Sequence, residues 1–134
     1  MNLKKYLESS EFIDVDNERI KKKANSLALG KRNDYEISET CFKYVRDEIK
    51  HSWDYKLNTV TCKASDVLKY KTGYCFAKSH LLAALLRANK IPAGLCYQRL
   101  KIEDDKEGYC LHGLNVVYLK EFGWYRIDPR GNFN

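Results

Sequence analysis

In the first part of the chain, apolar residues recur every three or four positions, a pattern typical of amphipathic helices. The first helix is predicted to run through Ala28, because Gly30 provides a stop signal shortly after it. Either Asp16 or Asn17 is placed to cap its start, since a side-chain oxygen there accepts hydrogen bonds from the free N–H groups of the first turn. The apolar face of this helix consists of Ile20, Ala24 and Leu27.

A second amphipathic helix is predicted from about Glu36 to Lys50, with Asp34 as its cap. Its apolar stripe consists of Ile37, Cys41, Phe42, Val45 and Ile49. The stretch from His51 to Thr61 has no clear period, so it is predicted to be a loop.

The third and fourth predicted helices differ in how they are covered. A short helix runs through Tyr70 with Ser65 as its predicted cap. The segment from Tyr74 to Asn89 is apolar on nearly all sides, which is typical of a helix buried on every face. Pro92 prevents this helix from continuing.

After residue 92 the pattern becomes that of strands. Strands are predicted from Ala93 to Ile102, from Leu111 to Leu119 and from Gly123 to Ile127. An acidic turn joins the first two strands, and a short connection over residues 120–123 makes the last two a hairpin. Helices over residues 1–92 followed by an antiparallel sheet over residues 93–134 predict one α+β domain spanning residues 1–134.

Length and composition exclude several classes of protein. The chain has 134 residues, 44% hydrophobic and 31% charged, which is ordinary for a globular domain. No apolar run approaches the roughly 20 residues that span a bilayer, and the N-terminus lacks the apolar core of a secretory signal. The five cysteines are odd in number and never spaced Cys-x-x-Cys, so a disulfide framework and a zinc site are not expected. Reduced thiols and a cytoplasmic location are predicted, with Cys41 as a core residue.

The net charge of +6 is concentrated in basic runs such as Lys21–Lys23. Such a surface attracts acidic partners or nucleic acid. No nucleic-acid-binding motif accompanies the basic runs, so a solvated surface is favoured over a functional basic patch and no nucleic acid partner is expected.

Cys75 is the first candidate for a catalytic residue, as a thiol nucleophile. It stands at the start of the buried helix, where the free N–H groups and the helix dipole favour a thiolate. His112 and Asp128 follow on separate predicted strands, as an imidazole that can take the thiol proton and a carboxylate that can orient it. Each residue taken alone is more often structural, but hairpin pairing is expected to bring His112 and Asp128 to the same end of the sheet.

The segments around these residues resemble the transglutaminase-like superfamily, a branch of the papain-like thiol enzymes. The resemblance rests on ASDVL and KTGYC within 64–75, LLRANKIPA at 85–93, HGLNV at 112–116 and WYRIDP at 124–129. Glycine before a cysteine is weak evidence alone, but the four segments together, over about residues 64–130, are specific.

The resemblance implies a papain-like fold and a triad in which Cys75 is the nucleophile, His112 the general base and acid, and Asp128 the orienting carboxylate. The implied reaction is attack on an amide of a peptide or protein through a thioester, with hydrolysis favoured over cross-linking. No metal and no organic cofactor are implied. Trp53 is the first candidate for the second oxyanion donor, although an aromatic core role is favoured for it, and Gln98 and Asn115 are weaker candidates.

Two departures from the family pattern leave alternatives open. The family usually has glycine where this chain has Lys90, so the turn is expected to use Asn89 or a different geometry. Relatives usually continue with further strands where this chain ends at Asn134, as expected of a truncated or minimal form. The alternatives are a catalytically inactive domain that binds a peptide or protein, a narrower glycan- or wall-peptide-directed amidase, and nucleic-acid binding by the N-terminal helices. The oligomeric state is left open.

Overall fold

The fold was examined in a computed structural model, which describes residues 3–10, 12–51, 64–73, 75–101, 109–120 and 122–127. The helices in these residues are a 3-10 helix at Leu3–Leu7 and the α-helices α1 (Glu18–Ala28), α2 (Asp34–Glu48), α3 (Ala64–Tyr70) and α4 (Cys75–Ala88). The strands are β1 (Lys50–His51), β2 (Thr72–Gly73), β3 (Ala93–Lys101), β4 (Tyr109–Leu119) and β5 (Gly123–Ile127). The predicted α+β class is confirmed.

The cap of the first helix is one of the two residues predicted for it, whereas the cap of the second helix is not the predicted residue. Asn17 caps α1 by accepting a hydrogen bond from the Arg19 N–H at 2.9 Å, as predicted. The cap of α2 is Asn33, which accepts from the Glu36 N–H at 2.9 Å, and Asp34 is the first helical residue. The prediction of Asp34 as the cap was therefore wrong by one residue, because both neighbours carry a suitable side-chain oxygen.

Two short strands lie in the region that was predicted to contain only helices and loops. β1 pairs with β2 in parallel, with Lys50 opposite Thr72 and His51 opposite Gly73. The predicted end of the second helix at Lys50 and the predicted loop at His51 were wrong for these residues. A two-residue strand carries no hydrophobic period and is fixed only by its distant partner. The rest of the predicted loop lies outside the described residues.

The start of α3 is held by a segment that precedes α1 in the chain. The Ser65 N–H donates to Asp14 Oδ1 at 3.1 Å, and the Ala64 N–H donates to Phe12 O at 2.8 Å. The cap is therefore Asp14 and not Ser65, which lies inside the first turn. A cap supplied from about fifty residues away leaves no local sequence signal.

Helix α4 is the centre of the molecule. Every residue from Ala77 to Leu86 is buried, which confirms the prediction of a helix covered on all faces. It contacts the other three α-helices as well as β3 and β4. The helix that begins with Cys75 thus packs against helices on one side and against the larger sheet on the other.

The larger sheet has the strand order β3–β4–β5 with antiparallel pairing throughout. Phe122 donates its N–H to Leu119 O at 3.0 Å, and Gly123 has a φ of 76°, so the predicted hairpin is confirmed. β4 begins at Tyr109, two residues earlier than predicted. His112 therefore lies inside β4 and not at its start.

The turn after α4 shows how the chain manages without the usual glycine. Lys90 itself adopts the left-handed conformation, with a φ of 62°. The Asn89 side chain has a different task, because its Nδ2 donates to Ala24 O at 3.2 Å and to Leu85 O at 3.1 Å. Of the two alternatives that the sequence left open, Asn89 or a different geometry, the structure shows the second, and Asn89 instead ties α1 to α4.

We expect Lys90→Gly to stabilise the protein by about 0.5–1 kcal/mol, because glycine lacks the Cβ that disfavours a positive φ. The free energy of unfolding in urea measures the effect. Lys90→Ala is the matched control, since it removes the charge and keeps the Cβ. Equal stability of the two variants would show that the turn is not strained.

Candidate active site

Cys75 is the first residue of α4, a helix of 14 residues whose backbone begins immediately downstream of β2. The first N–H groups of such a helix have no partner inside it and carry partial positive charge. The prediction that the buried helix begins at Cys75 is confirmed for the backbone.

His112 lies in β4 opposite Gln98 of β3. The connection from α4 to β3 is short and is fastened by Arg87, whose Nε donates to Ala93 O at 2.8 Å. The chain therefore reverses after α4 and again between β3 and β4, so β4 runs in the same direction as α4. The beginnings of α4 and β4 consequently lie at the same end of the molecule.

Asn115 joins the two elements close to both residues. Its side chain is fully buried, and its Nδ2 lies 2.9 Å from Ser79 O and 3.4 Å from Gly94 O. Ser79 is four residues after Cys75, about 6 Å along a helix. Asn115 is three residues after His112, about 10 Å along a strand. The contact thus fixes the first half of α4 against the middle of β4.

The same contact decides the role of Asn115. Its amide hydrogens point at two main-chain carbonyls, which can only accept hydrogen bonds. They are therefore engaged in packing the helix on the sheet, and the weaker suggestion of Asn115 as an oxyanion donor is not supported.

Trp53 and Asp128 lie outside the described residues, as do the side chains of Cys75, Gln98 and His112. The strands β1 and β5 come shortly before Trp53 and Asp128 in the chain. His51, two residues before Trp53, is paired with Gly73, two residues before Cys75, in a parallel bridge. Ile127, directly before Asp128, is paired with Asn115.

Lys78 is a charged residue near the site that the sequence analysis did not consider. It is only 3% exposed, although it lies one helical turn after Cys75. Its Nζ donates to Arg46 O at 3.4 Å, in the last turn of α2. The signal was present in the sequence, since a lysine inside a helix that is apolar on all sides must be buried with its charge satisfied.

Two further residues with reactive side chains belong to the core. His80 is 5% exposed and stacks on Phe12 with a ring-centroid distance of 5.7 Å, in agreement with the structural role predicted for it. Cys41 is fully buried, as predicted, and burial raises the pKa of its thiol to about 12 against a weaker opposing effect of the Asn89 hydrogen bond.

Metal binding and membrane insertion each require a recognisable arrangement of residues. Among those that the structure describes, no three His, Cys, Asp or Glu side chains form a group suited to a metal ion. None of the described helices combines the length and apolar character needed to cross a bilayer.

The sequence profile of the transglutaminase-like superfamily matches residues 21–129, most of the chain. The chain belongs to the transglutaminase-like superfamily. The matched region extends well upstream of the four motifs and includes most of α1 and all of α2 and β1. The N-terminal helices are therefore part of the family core. No curated protein sequence shows significant similarity to the chain.

Several solved structures share the fold. A candidate cysteine protease from Cytophaga hutchinsonii aligns with a TM-score of 0.76 and 20% identity, over 96% of this chain and 42% of that one. The periplasmic domain of TgpA from Pseudomonas aeruginosa aligns with a TM-score of 0.71 and 20% identity, over 95% of this chain and 46% of that one. A candidate protease from Parabacteroides distasonis aligns with a TM-score of 0.60 and 15% identity, over 94% of this chain and 25% of that one. The chain thus spans less than half the length of these proteins, and at such identities the likeness concerns the fold.

Proposed function

We propose that the protein is a thiol-dependent acyl-transfer enzyme that acts on amide bonds. The Cys75 sulfur attacks the amide carbonyl carbon, and His112 takes the thiol proton and then passes it to the leaving amine. The C–N bond breaks as a thioester forms on Cys75, and water, deprotonated by His112, releases the acid. Asp128 holds the imidazole in the tautomer that this transfer requires.

The observation that carries the proposal is the hydrogen bond between Asn115 Nδ2 and Ser79 O at 2.9 Å. It holds the strand of His112 against the helix of Cys75, three residues after His112 and four residues after Cys75. A nucleophile and its base must come within hydrogen-bonding reach, and the packing of their two elements on each other supports this pairing.

An oxyanion hole is proposed from the Cys75 N–H and the Trp53 indole. A helix-head N–H is suited to the developing negative charge on the carbonyl oxygen. The parallel pairing of His51 with Gly73 supports the second donor, because it carries the chain toward Trp53 alongside the chain toward Cys75.

Hydrolysis is proposed over cross-linking because of two solved structures that share the fold. The proteins from Cytophaga hutchinsonii and Parabacteroides distasonis are described as candidate proteases, and both share this fold. One fold supports several reaction types, and the acceptor is tested directly once the reactivity of the thiol is established.

The proposal predicts fast alkylation of Cys75 by iodoacetamide well below pH 8.5, the region where a free thiol titrates. His112→Ala is expected to move the rate–pH profile upward, because the imidazole no longer accepts the proton. Peptide mapping by mass spectrometry assigns the rates to individual cysteines. Cys41 is the internal reference, since burial keeps it protonated and unlabelled until the protein unfolds.

The opposite result would be a Cys75 that titrates like the same thiol in the denatured chain and ignores His112→Ala. The triad would then not form, and the non-catalytic binding domain would become the better description of the protein.

A further inference from the structure

A groove of about 450 Å³ is lined by α1, α2 and α3, away from the residues of the candidate active site. Arg19, Lys22 and Ser26 contribute one face of α1, since they are spaced at helical intervals. The cationic lining residues are Arg19, Lys22, Lys23, Lys69 and Lys71. None of the described residues that line the groove carries a carboxylate. The fold therefore brings two basic segments, 46 residues apart in the sequence at Lys23 and Lys69, to one concave surface.

Three cationic side chains of this groove are not neutralised within the part of the chain that the structure describes. Arg19, Lys22 and Lys71 are exposed and make no ion pair within the described part of the chain. The ion pairs found there are Arg32–Glu36, Lys43–Glu39 and Arg46–Asp47. A concave surface of one charge sign concentrates ions of the opposite sign, so the natural occupant is an anion.

Tyr44 adds a hydrogen-bonding group to the charge. Its hydroxyl is buried and has no hydrogen-bond partner among the described residues, and the Lys23 Nζ lies 4.8 Å from its ring centroid. Burial raises the pKa of Tyr44, and the Glu48 carboxylate adds to the shift, so the hydroxyl stays protonated. A buried hydroxyl without a partner beside a basic groove is suited to donate to a carboxylate.

The groove is connected to the nucleophile by a short piece of backbone. Lys71 follows α3 in a left-handed conformation, with a φ of 54°, and leads directly into β2. Cys75 is four residues further on, at most about 14 Å even for fully extended chain. An extended peptide covers that distance in about four residues.

We propose that this groove binds acidic side chains of a peptide substrate, located within about four residues of the amide that Cys75 attacks. The inference rests on the proposed function, and it names the class of substrate. A peptide is favoured over nucleic acid because Lys71 of the groove lies only four residues before Cys75, whose thiol is suited to amides, and because tyrosine is the only aromatic residue among the described lining residues.

The test measures fluorescence anisotropy of a labelled glutamate-rich peptide with a central glutamine, against the same peptide with glutamate replaced by glutamine. Cys75→Ala is the parent protein, so binding is observed without turnover. The double variant Lys22→Glu and Lys71→Glu reverses the groove charge. Lys21→Glu with Lys31→Glu is the matched control, because it changes the net charge equally at exposed positions outside the groove.

We expect the acidic peptide to bind at least about tenfold more tightly than the neutral one, with an affinity that falls as salt is added. The groove variant should remove this preference, and the control should change it less than about threefold. Equal binding of the two peptides, or an equal loss in the control variant, would overturn the proposal. So would a single-stranded oligonucleotide of the same charge that binds more tightly through Lys22 and Lys71.

The outcomes separate this inference from the proposed function. A reactive Cys75 without preference for the acidic peptide removes the groove proposal alone. Preferential binding to a protein whose Cys75 titrates like a free thiol removes the enzymatic proposal and keeps an acidic-peptide-binding domain.

Discussion

Asn115→Asp is expected to destabilise the protein by about 3–5 kcal/mol at neutral pH, as measured by urea unfolding. The wild-type amide donates to Ser79 O and Gly94 O from a fully buried position. A carboxylate of the same shape would turn negative oxygens toward those carbonyls and bury an unpaired charge. The loss comes from the interface between α4 and β4, so Cys75 reactivity should fall in the same variant.

The effect of Asn115→Asp should depend on pH with a definite sign. Burial would raise the pKa of the introduced carboxyl above the value of about 3.9 that it has in the unfolded chain. The folded state then holds the proton more strongly, so stability is retained below that pH and lost as pH rises through the folded-state pKa. The deficit relative to wild type should therefore be smallest in acid.

Asn25→Asp is the matched control, because Asn25 is exposed on α1. A change at such a surface position is expected to stay within about 0.5 kcal/mol. If Asn115→Asp cost no more than Asn25→Asp, the helix–sheet contact would not be an important one, and the main support for the proposed pairing of Cys75 with His112 would be lost.

Lys78→Met is expected to move the alkylation profile of Cys75 upward by about one pH unit, which is roughly a tenfold slower reaction near neutral pH. The ammonium group is buried one helical turn after Cys75, and residues so spaced are neighbours on a helix surface. Removing it takes away a positive charge that favours the thiolate. Methionine keeps the apolar stem, so the packing of α4 should survive.

Lys21→Met removes an equal charge from an exposed position and should leave the profile unchanged. Alkylation rates against pH, assigned to Cys75 by mass spectrometry, distinguish an electrostatic effect from a structural one. If Lys78 acted only by donating to Arg46 O, the variant would unfold more easily but keep the wild-type midpoint.

The sequence determined the elements whose signals are local. A cap at Asp16 or Asn17, the end of α1 at Ala28 and the hairpin at Gly123 follow from side-chain oxygens and turn residues acting over a few positions. The burial of α4 followed from its apolar character on all faces, and the family followed from four short motifs. Cys75, His112 and Asp128 were chosen at this level, and their catalytic roles remain predictions.

The tertiary structure decided what depends on residues distant in the chain. Asp14 caps α3, His51 pairs with Gly73, and Asn115 joins β4 to α4, none of which has a local pattern. Lys90 accepts a left-handed backbone because the surrounding helix packing outweighs its preference. The basic groove arose in the same way, since charges that are separate solvated runs in the sequence share one concave surface only after folding. Hydrogen bonds and electrostatic forces act through space, whereas periodicity and local caps such as Asn17 act along the chain.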